Sequence, residues 1–178
     1  MPTTAHTHAH APAHASAPSQ LRGVELIHEP LPAHAALHAL LAQAELSPRD
    51  SAEVLQHLEP LISRYAQRCG YAAHDLIVLH PQTAGLDDLL SRFDKAHTHP
   101  DDEVRFILDG AGLFGFFDPD GVEQVVLAKP GDFVRVAAGV EHRFTLTESR
   151  RIKALRLFTD SKGWQARYTN RPVTPLRG

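Results

Sequence analysis

The sequence predicts a mainly β fold, a β-barrel with an α-helical portion on its N-terminal side. From about residue 94 to 170 the chain consists of short β-rich runs, such as EVRFIL, GLFGFF and EQVVLA, separated by Gly, Pro and Asp. Such regular short strands with turn signals between them are typical of an all-β sandwich or barrel. Helix-forming stretches dominate residues 21–93 instead. Because 178 residues suit one domain better than two, we expect a single domain over residues 21–178.

The overall composition excludes several classes of protein. Apolar residues make up 43% of the chain, charged residues 22%, and the formal net charge is -3. These values are ordinary for a soluble protein and lack the basic excess of a nucleic-acid-binding surface. A single cysteine cannot form an internal disulfide bond, no apolar run is long enough to span a bilayer, and the N-terminus lacks the features of a signal peptide. We expect a cytoplasmic monomer with no nucleic-acid or membrane partner.

Residues 1–20 are unlike the rest of the chain. They are mainly Ala, His, Pro, Thr and Ser and offer almost nothing to bury, so we expect a disordered tail. This tail holds four of the 13 histidines. Spaced imidazoles in a flexible segment can bind nickel or zinc, which leaves open a role for the tail as a loose metal reservoir.

One helix is signalled at both ends. Ser47 can cap it, a proline suits its first turn, and Gly70 is a natural terminator. Between them, apolar residues recur at three- and four-residue spacing, which predicts an amphipathic helix over residues 48–69 with Cys69 packed in the core. The stretch PAHAALHALLAQAE before it predicts another helix, and LDDLLSRF (86–93) after it predicts a short helix or a turn.

Strand and turn signals fill the rest of the chain. DLIVLH (75–80) predicts a first strand, and six further β-rich runs follow residue 97. The turns DGAG (109–112) and DPDG (118–121) have the composition of hairpin turns, so we expect each to join two paired strands.

The segment AHTHPDDEVRFILDG holds the first candidate metal ligands. His97, His99 and Glu103 are an even number of residues apart, and alternate residues of an extended chain face the same side. A turn at Pro100 can shorten the gap without changing that side, and Arg105 falls on it too. Two imidazoles and a carboxylate suit a divalent ion such as Fe(II) or Ni(II).

A second segment, GDFVRVAAGVEH (131–142), supplies a fourth candidate ligand. Gly131 and Gly139 permit turns on either side of the strand DFVRV, and His142 begins the next strand. A barrel can bring this histidine beside the first group, which would leave an octahedral ion two open positions. A His-x-His pair alone is a weak signal, since the neighbouring acidic residues could form a solvated turn. Both segments together, in a β-rich context, favour a metal site.

These two segments resemble the two motifs of the cupin superfamily. The first has the His-x-His-x-x-x-Glu pattern and the glycine that follows it, with Ser91 where the cupin motif usually opens with glycine. The second has both glycines and His142, with Ala137 where a proline is usual. The resemblance implies a cupin fold, which is a jelly-roll β-barrel.

Longer strings narrow the resemblance to the acireductone dioxygenase family of methionine salvage. HTHPDDEVRFILDGAGLFGF, GVEHRF and ALRLFTDSKGWQARYT are similar to that family, and so is YAQRCGYAAHDLIVLHP further upstream. The similarity covers about residues 48–169. Its DEVRF and RLFTDSKGW strings are much more specific than the general cupin pattern.

The resemblance implies an activity and a cofactor. Acireductone dioxygenases cleave 1,2-dihydroxy-3-keto-5-methylthiopentene with O2. With Fe(II) the products are 2-keto-4-methylthiobutyrate and formate, whereas with Ni(II) they are methylthiopropionate, formate and carbon monoxide. The family's metal ligands map onto His97, His99, Glu103 and His142, so we expect one Fe(II) or Ni(II) ion per chain.

Arg105 is the first candidate for a substrate contact. The enediol substrate loses protons and chelates the ion through two oxygens, and Arg105, on the inward side beside Glu103, would stabilise its negative charge. The alternative for Arg105 is a structural salt bridge to Asp101 or Asp102.

Two further side chains could meet the substrate, and two positions depart from the family. Arg156 is a weaker candidate for the role of Arg105. Phe144 lies two residues after the last metal-binding histidine and either walls the pocket or packs in the core. Ala96 stands where many members have Glu before the first ligand, and Arg143 stands where Trp is common.

A non-catalytic cupin that binds a metal or a small anion is the alternative function. A protein of that class need not contain the DEVRF and RLFTDSKGW strings, which therefore favour the dioxygenase. Oxygen uptake discriminates between the two.

Overall fold

The structure, a computed structural model, describes residues 21–160, 162 and 164–177. The predicted tail, residues 1–20, lies outside the described residues. Within these described residues, three helices and ten strands follow one another. The helices are α1 (Ala35–Ala42), α2 (Pro48–Cys69) and α3 (Leu86–Phe93). The strands are β1 (Val24–His28), β2 (Ala73–Leu79), β3 (His97–Thr98), β4 (Glu103–Gly110), β5 (Gly112–Phe117), β6 (Glu123–Ala128), β7 (Asp132–Val136), β8 (His142–Leu146), β9 (Ile152–Phe158) and β10 (Arg167–Tyr168).

The strands form two five-stranded antiparallel sheets. The first, sheet A, has the order β1-β7-β4-β9-β2, and the second, sheet B, has the order β10-β3-β8-β5-β6. The mainly β class and the helical N-terminal portion are both confirmed. None of the helices among the described residues is both long and apolar enough to cross a membrane.

Strand β4 shows how sheet A separates two cores. Its even-numbered residues, such as Phe106, pack with α1 and α2 on the outer face of the sheet. Ile107, of odd number, packs instead with Phe114 and Phe144 of sheet B. The side of β4 that carries Glu103 therefore faces the space between the two sheets, as strand parity predicts.

Helix α2 begins and ends at the predicted residues. Ser47 Oγ accepts a hydrogen bond from the Asp50 amide at 3.1 Å, and the Asp50 carboxylate accepts one from the Ser47 amide at 3.0 Å. This reciprocal capping box satisfies amides that have no partner within the helix. Gly70 ends the helix in the left-handed region, at φ 75°. The prediction that Cys69 packs in the core is wrong: Cys69 is exposed, because Tyr65 is the last buried residue of the helix.

The N-terminal portion is less helical than its composition predicts. The alanine-rich stretch forms only the eight residues of α1. Strand β1 pairs with β7 at one edge of sheet A, and β2 pairs with β9 at the other. The helical portion therefore supplies both edge strands of a sheet whose centre comes from the C-terminal half.

The two turns predicted to be hairpins differ in outcome. DPDG joins β5 to β6, which pair with each other, so this hairpin is confirmed. DGAG is not a hairpin, because β4 pairs with β7 and β9 in sheet A while β5 lies in sheet B. Gly110 adopts φ 72° there, and a Cβ atom on it would lie 2.0 Å from the Arg151 carbonyl oxygen. The turn leads the chain from one sheet to the other.

Candidate metal centre

The four predicted ligands meet between the two sheets. Each of His97, His99, Glu103 and His142 offers one ligand atom, and these atoms lie within 4.8 Å of one another. All four side chains are buried, with exposed fractions of 7% or less. Within the described part of the chain this is the one group of at least three such side chains close enough to hold an ion.

Pairing between strands brings the ligands together. His97 on β3 lies directly opposite His142 on β8 in sheet B. Glu103 begins β4 in sheet A and approaches both histidines from across the interior. His99 follows β3, and its carbonyl oxygen accepts a hydrogen bond from the Gly139 amide at 2.9 Å. That bond ties the loop before β8 to the loop after β3.

Backbone carbonyls set the orientation of two imidazoles. Nδ1 of His97 lies 2.7 Å from the Lys95 carbonyl oxygen, and Nδ1 of His142 lies 2.9 Å from that of Val140. Since a carbonyl oxygen can only accept, each Nδ1 donates, and in the neutral ring the lone pair is then on Nε2. A histidine that binds a metal through one ring nitrogen is commonly oriented by such a hydrogen bond from the other ring nitrogen.

The contacts around Glu103 fit a bound cation. One carboxylate oxygen of Glu103, Oε2, lies 3.0 Å from His99 Nε2 and 3.2 Å from His142 Nε2. With His142 neutral, its Nε2 and the carboxylate oxygen are both acceptors, so a positive charge between them is favourable. Three imidazoles and a carboxylate are a donor set for Fe(II), Ni(II) or a similar divalent ion.

Burial and charge keep two ligands in the forms that bind a metal. Burial, reinforced by the nearby His142, lowers the pKa of His97 from 6.5 to about 4. For Glu103, burial opposes ionisation, but the charge of Arg105 and the close polar contacts with His142 and His99 outweigh it, so its pKa lies well below the usual value. At neutral pH the centre therefore holds a neutral imidazole and an ionised carboxylate.

A cavity of about 520 Å³ opens beside the centre. Its walls include three of the four predicted ligands and all three predicted substrate contacts. The predicted members are His97, His99, Glu103, Arg105, Phe144 and Arg156. Sequence reasoning missed Phe93, Asp75 and Trp164, which also line it. Trp164 and Asp75 both stand in strings similar to the family, RLFTDSKGW and YAQRCGYAAHDLIVLHP, but neither string by itself indicates that these side chains meet at the cavity.

Comparison with known proteins identifies the family. A model described as the ARD/ARD′ family matches residues 3–166. The chain is 46% identical over 134 residues to the acireductone dioxygenase of Microcystis aeruginosa, covering 75% of this chain and 73% of the relative. It is 41% identical over 145 residues to that of Leptospira biflexa, covering 82% and 81%. The chain belongs to the acireductone dioxygenase family. Its activity is that of an oxidoreductase, a dioxygenase in methionine salvage.

A solved acireductone dioxygenase supports the same fold. The structure of the enzyme from Bacillus anthracis with a cadmium ion in its active centre superposes with a TM-score of 0.75 at 37% identity. The match covers 84% of this chain and 85% of that one. The cupin fold expected from the two motifs is therefore confirmed.

Arg105 is the buried cation of this acireductone dioxygenase cavity. Its Nε donates to Glu103 Oε1 at 2.6 Å, and its guanidinium carbon lies 4.8 Å from the centroid of the Phe144 ring. Among the described residues, Nη1 of Arg105 is buried with no hydrogen-bond partner. The alternative salt bridge to Asp101 or Asp102 does not form: the ion pair of Arg105 among the described residues is with Glu103, and Asp102 pairs with Arg135 at 2.7 Å.

The other two predicted contacts differ in their surroundings. Phe144 is buried, with 1% exposed, and its ring packs on Phe93 and Phe114 as well as facing the cavity. It therefore belongs both to the pocket wall and to the core. Arg156 donates two hydrogen bonds to Asp75, at 2.7 and 2.5 Å, at the outer part of the cavity.

The two departures from the acireductone dioxygenase pattern lie behind the cavity wall. Arg143 follows His142 on β8 and is buried. Its guanidinium forms ion pairs with Glu123 and Asp94, at 2.6 and 3.0 Å. Ala96 is buried, and its carbonyl oxygen accepts a hydrogen bond from the Thr169 amide at 3.1 Å. Neither side chain lines the cavity.

The remaining described histidines do not join the centre. His28 lies 2.8 Å from an Asp132 oxygen at the surface. His34 lies at the N-terminus of α1, where its ring packs 5.4 Å from that of His57.

Proposed function

We propose that this chain binds one Fe(II) or Ni(II) ion through His97, His99, Glu103 and His142 and cleaves the acireductone 1,2-dihydroxy-3-keto-5-methylthiopentene with O2. The observation that carries the proposal is the buried set of three imidazoles and one carboxylate, whose ligand atoms lie within 4.8 Å of one another. The cadmium ion in the active centre of the Bacillus anthracis relative supports a divalent ion at this place.

The bound ion would supply Lewis-acid chemistry and a template for the chelating substrate. Residues of the chain prepare the cavity for that substrate. Arg105 directs its unpartnered, buried Nη1 at negative charge on the substrate oxygens, an interaction that a low-dielectric site strengthens. Phe144 walls the reacting end and keeps water from it. Arg156 offers a second cation further out, held by Asp75.

The metal decides the products. With Fe(II) we expect 2-keto-4-methylthiobutyrate and formate, and with Ni(II) methylthiopropionate, formate and carbon monoxide. The protein contributes the same four ligands in each case, since both ions accept imidazole and carboxylate donors.

Turnover of the acireductone by the metal-loaded protein tests the proposal. Protein loaded with Fe(II) should consume O2 and bleach the ultraviolet absorbance of the acireductone, and protein loaded with Ni(II) should release carbon monoxide. Metal-free protein serves as the control. Absence of turnover by the fully loaded protein would contradict the proposal and favour a non-catalytic cupin that binds a metal or a small anion.

Two further expectations remain predictions. The chain should be monomeric, which light scattering on the eluted protein measures, and it should be recovered in the cytoplasmic fraction of the cell.

A further inference from the structure

Three charged side chains form a row across the inner face of sheet A. Asp75 on β2 lies directly opposite Arg156 on β9, and Arg156 lies directly opposite Arg105 on β4. Like charges directly opposite each other in a sheet are destabilising. Each arginine therefore needs its own carboxylate: Arg105 pairs with Glu103, and Arg156 pairs with Asp75.

The pairing of Arg156 with Asp75 fixes the plane of the guanidinium. Nε and Nη2 of Arg156 donate to the two oxygens of Asp75, at 2.7 and 2.5 Å. Such two-pronged pairs constrain orientation as well as distance. The guanidinium carbon then lies 5.3 Å from the ring centroid of Phe158 and 5.4 Å from that of Trp164.

The indole ring of Trp164 lies close to the guanidinium groups of both arginines. Its indole centroid lies 5.2 Å from the guanidinium carbon of Arg105, in addition to the contact with Arg156. The ring lies 6.1 Å from that of His99 and 4.7 Å from that of Phe158, so it covers the side of the cavity next to the metal centre. Its buried Nε1 has no hydrogen-bond partner among the described residues.

Backbone structure does little to hold this indole in place. The described residues between β9 and β10, which include Trp164, form no helix or strand. The position of the ring therefore depends on its side-chain contacts, which include the two guanidinium groups at 5.2 and 5.4 Å from its centroid, close enough for cation–π attraction. Arg105 is anchored by buried Glu103, whereas Arg156 depends on Asp75.

We propose that Asp75 is a positioning residue, which holds Arg156 against Trp164 so that the indole closes the cavity over the metal centre. Asp75 is 45% exposed and lies at the outer part of the cavity, so it acts through Arg156 rather than on the reacting atoms. The kinetic part of the inference rests on the proposed dioxygenase function, whereas the placement of Trp164 does not.

The single tryptophan of the chain makes the placement directly measurable. In Ni(II)-loaded protein, Asp75→Asn should increase quenching of Trp164 fluorescence by acrylamide about two- to fivefold, the size expected for loss of one partly exposed ion pair. Asp75→Glu keeps the charge and should restore most of the protection. Asp87→Asn removes another surface carboxylate–arginine pair, with Arg150, and should leave quenching unchanged.

Kinetics give an independent measurement. Asp75→Asn should raise KM for the acireductone about two- to fivefold with little change in kcat, while Asp87→Asn should change neither. Arg156→Lys keeps the charge but loses the planar fork. It should expose Trp164 as Asp75→Asn does, which keeps the inference testable if one variant fails to fold.

The outcomes separate the inference from the proposed function. Quenching equal to that of the parent protein in both folded Asp75→Asn and folded Arg156→Lys would overturn the positioning role. Increased quenching in those variants, with protection in Asp75→Glu, supports it even if no variant turns over the acireductone. Increased quenching without any turnover would contradict only the proposed dioxygenase function.

Discussion

Glu103 is the residue on which the metal centre and the substrate cavity both depend. Its Oε1 accepts a hydrogen bond from Arg105 at 2.6 Å, and its Oε2 lies 3.0 Å from His99 Nε2 and 3.2 Å from His142 Nε2. The two oxygens therefore serve different neighbours. Removing the carboxylate leaves the buried guanidinium of Arg105 without the negative charge that balances it.

Replacing Glu103 with Ala should sharply weaken metal retention. Loss of a direct ligand should reduce affinity by more than the about 10- to 100-fold seen when an outer partner of a ligand is removed. Metal content per chain after dialysis against a weak chelator measures this. Asp101→Asn is the matched control, because it removes a carboxylate two residues away that is not part of the metal-binding group. Equal metal content in Glu103→Ala and the parent would mean that Glu103 is not a ligand.

At the scale of elements, the passage from β4 to β5 decides how the two sheets are connected. The chain leaves sheet A at Gly110 and enters sheet B at Gly112. At Gly110 the backbone has φ 72° and approaches the carbonyl of Arg151 so closely that a Cβ atom has no room. Gly70 has nearly the same φ, 75°, but nothing lies within 4 Å of where its Cβ would be.

Alanine substitutions at these two glycines distinguish the cost of a left-handed backbone from the cost of a steric clash. Gly70→Ala should lower the free energy of unfolding by about 1–2 kcal/mol, the penalty for a left-handed residue with a side chain. Gly110→Ala adds a clash with backbone atoms and should lower it by about 3 kcal/mol or more. Urea denaturation of the two variants measures the difference. Similar losses would show that the contact with Arg151 relaxes without penalty.

At the scale of the whole molecule, the metal centre makes stability depend on pH. His97 and Glu103 are buried between the two sheets, so their pKa values differ between the folded and the unfolded protein. Burial lowers the folded-state pKa of His97 to about 4 from 6.5. Between these values the unfolded chain binds a proton that the folded protein does not, so falling pH favours unfolding. Glu103 acts in the same direction below pH 4.5, because its folded-state pKa is lowered as well.

Metal-free protein should therefore lose stability as the pH falls from about 6.5 towards 4. The shift of His97 alone corresponds to about 2–3 kcal/mol across that window. Urea denaturation of the metal-free protein at a series of pH values measures it. His97→Asn should flatten the curve between pH 6.5 and 4, and an equally steep curve in that variant would assign the effect to other groups.

Local patterns by themselves determined a large part of this protein. Parity along β4 placed Glu103 and Arg105 on the same side of that strand, and the caps at Ser47 and Gly70 bounded α2. Such features depend on residues within a few positions of each other, where backbone geometry sets which side chains share a face. The family followed from contiguous strings for the same reason.

Only the tertiary structure decided which distant elements meet. It placed His142 opposite His97, sent the DGAG turn across to the second sheet, and aligned Asp75 with Arg156 so that Trp164 covers the cavity. Strand partners far apart in sequence are selected by burial and register over the whole molecule, and no short-range pattern encodes that selection. The identity of the candidate ligands was therefore readable from the chain, whereas the enclosure of their cavity is a property of the fold.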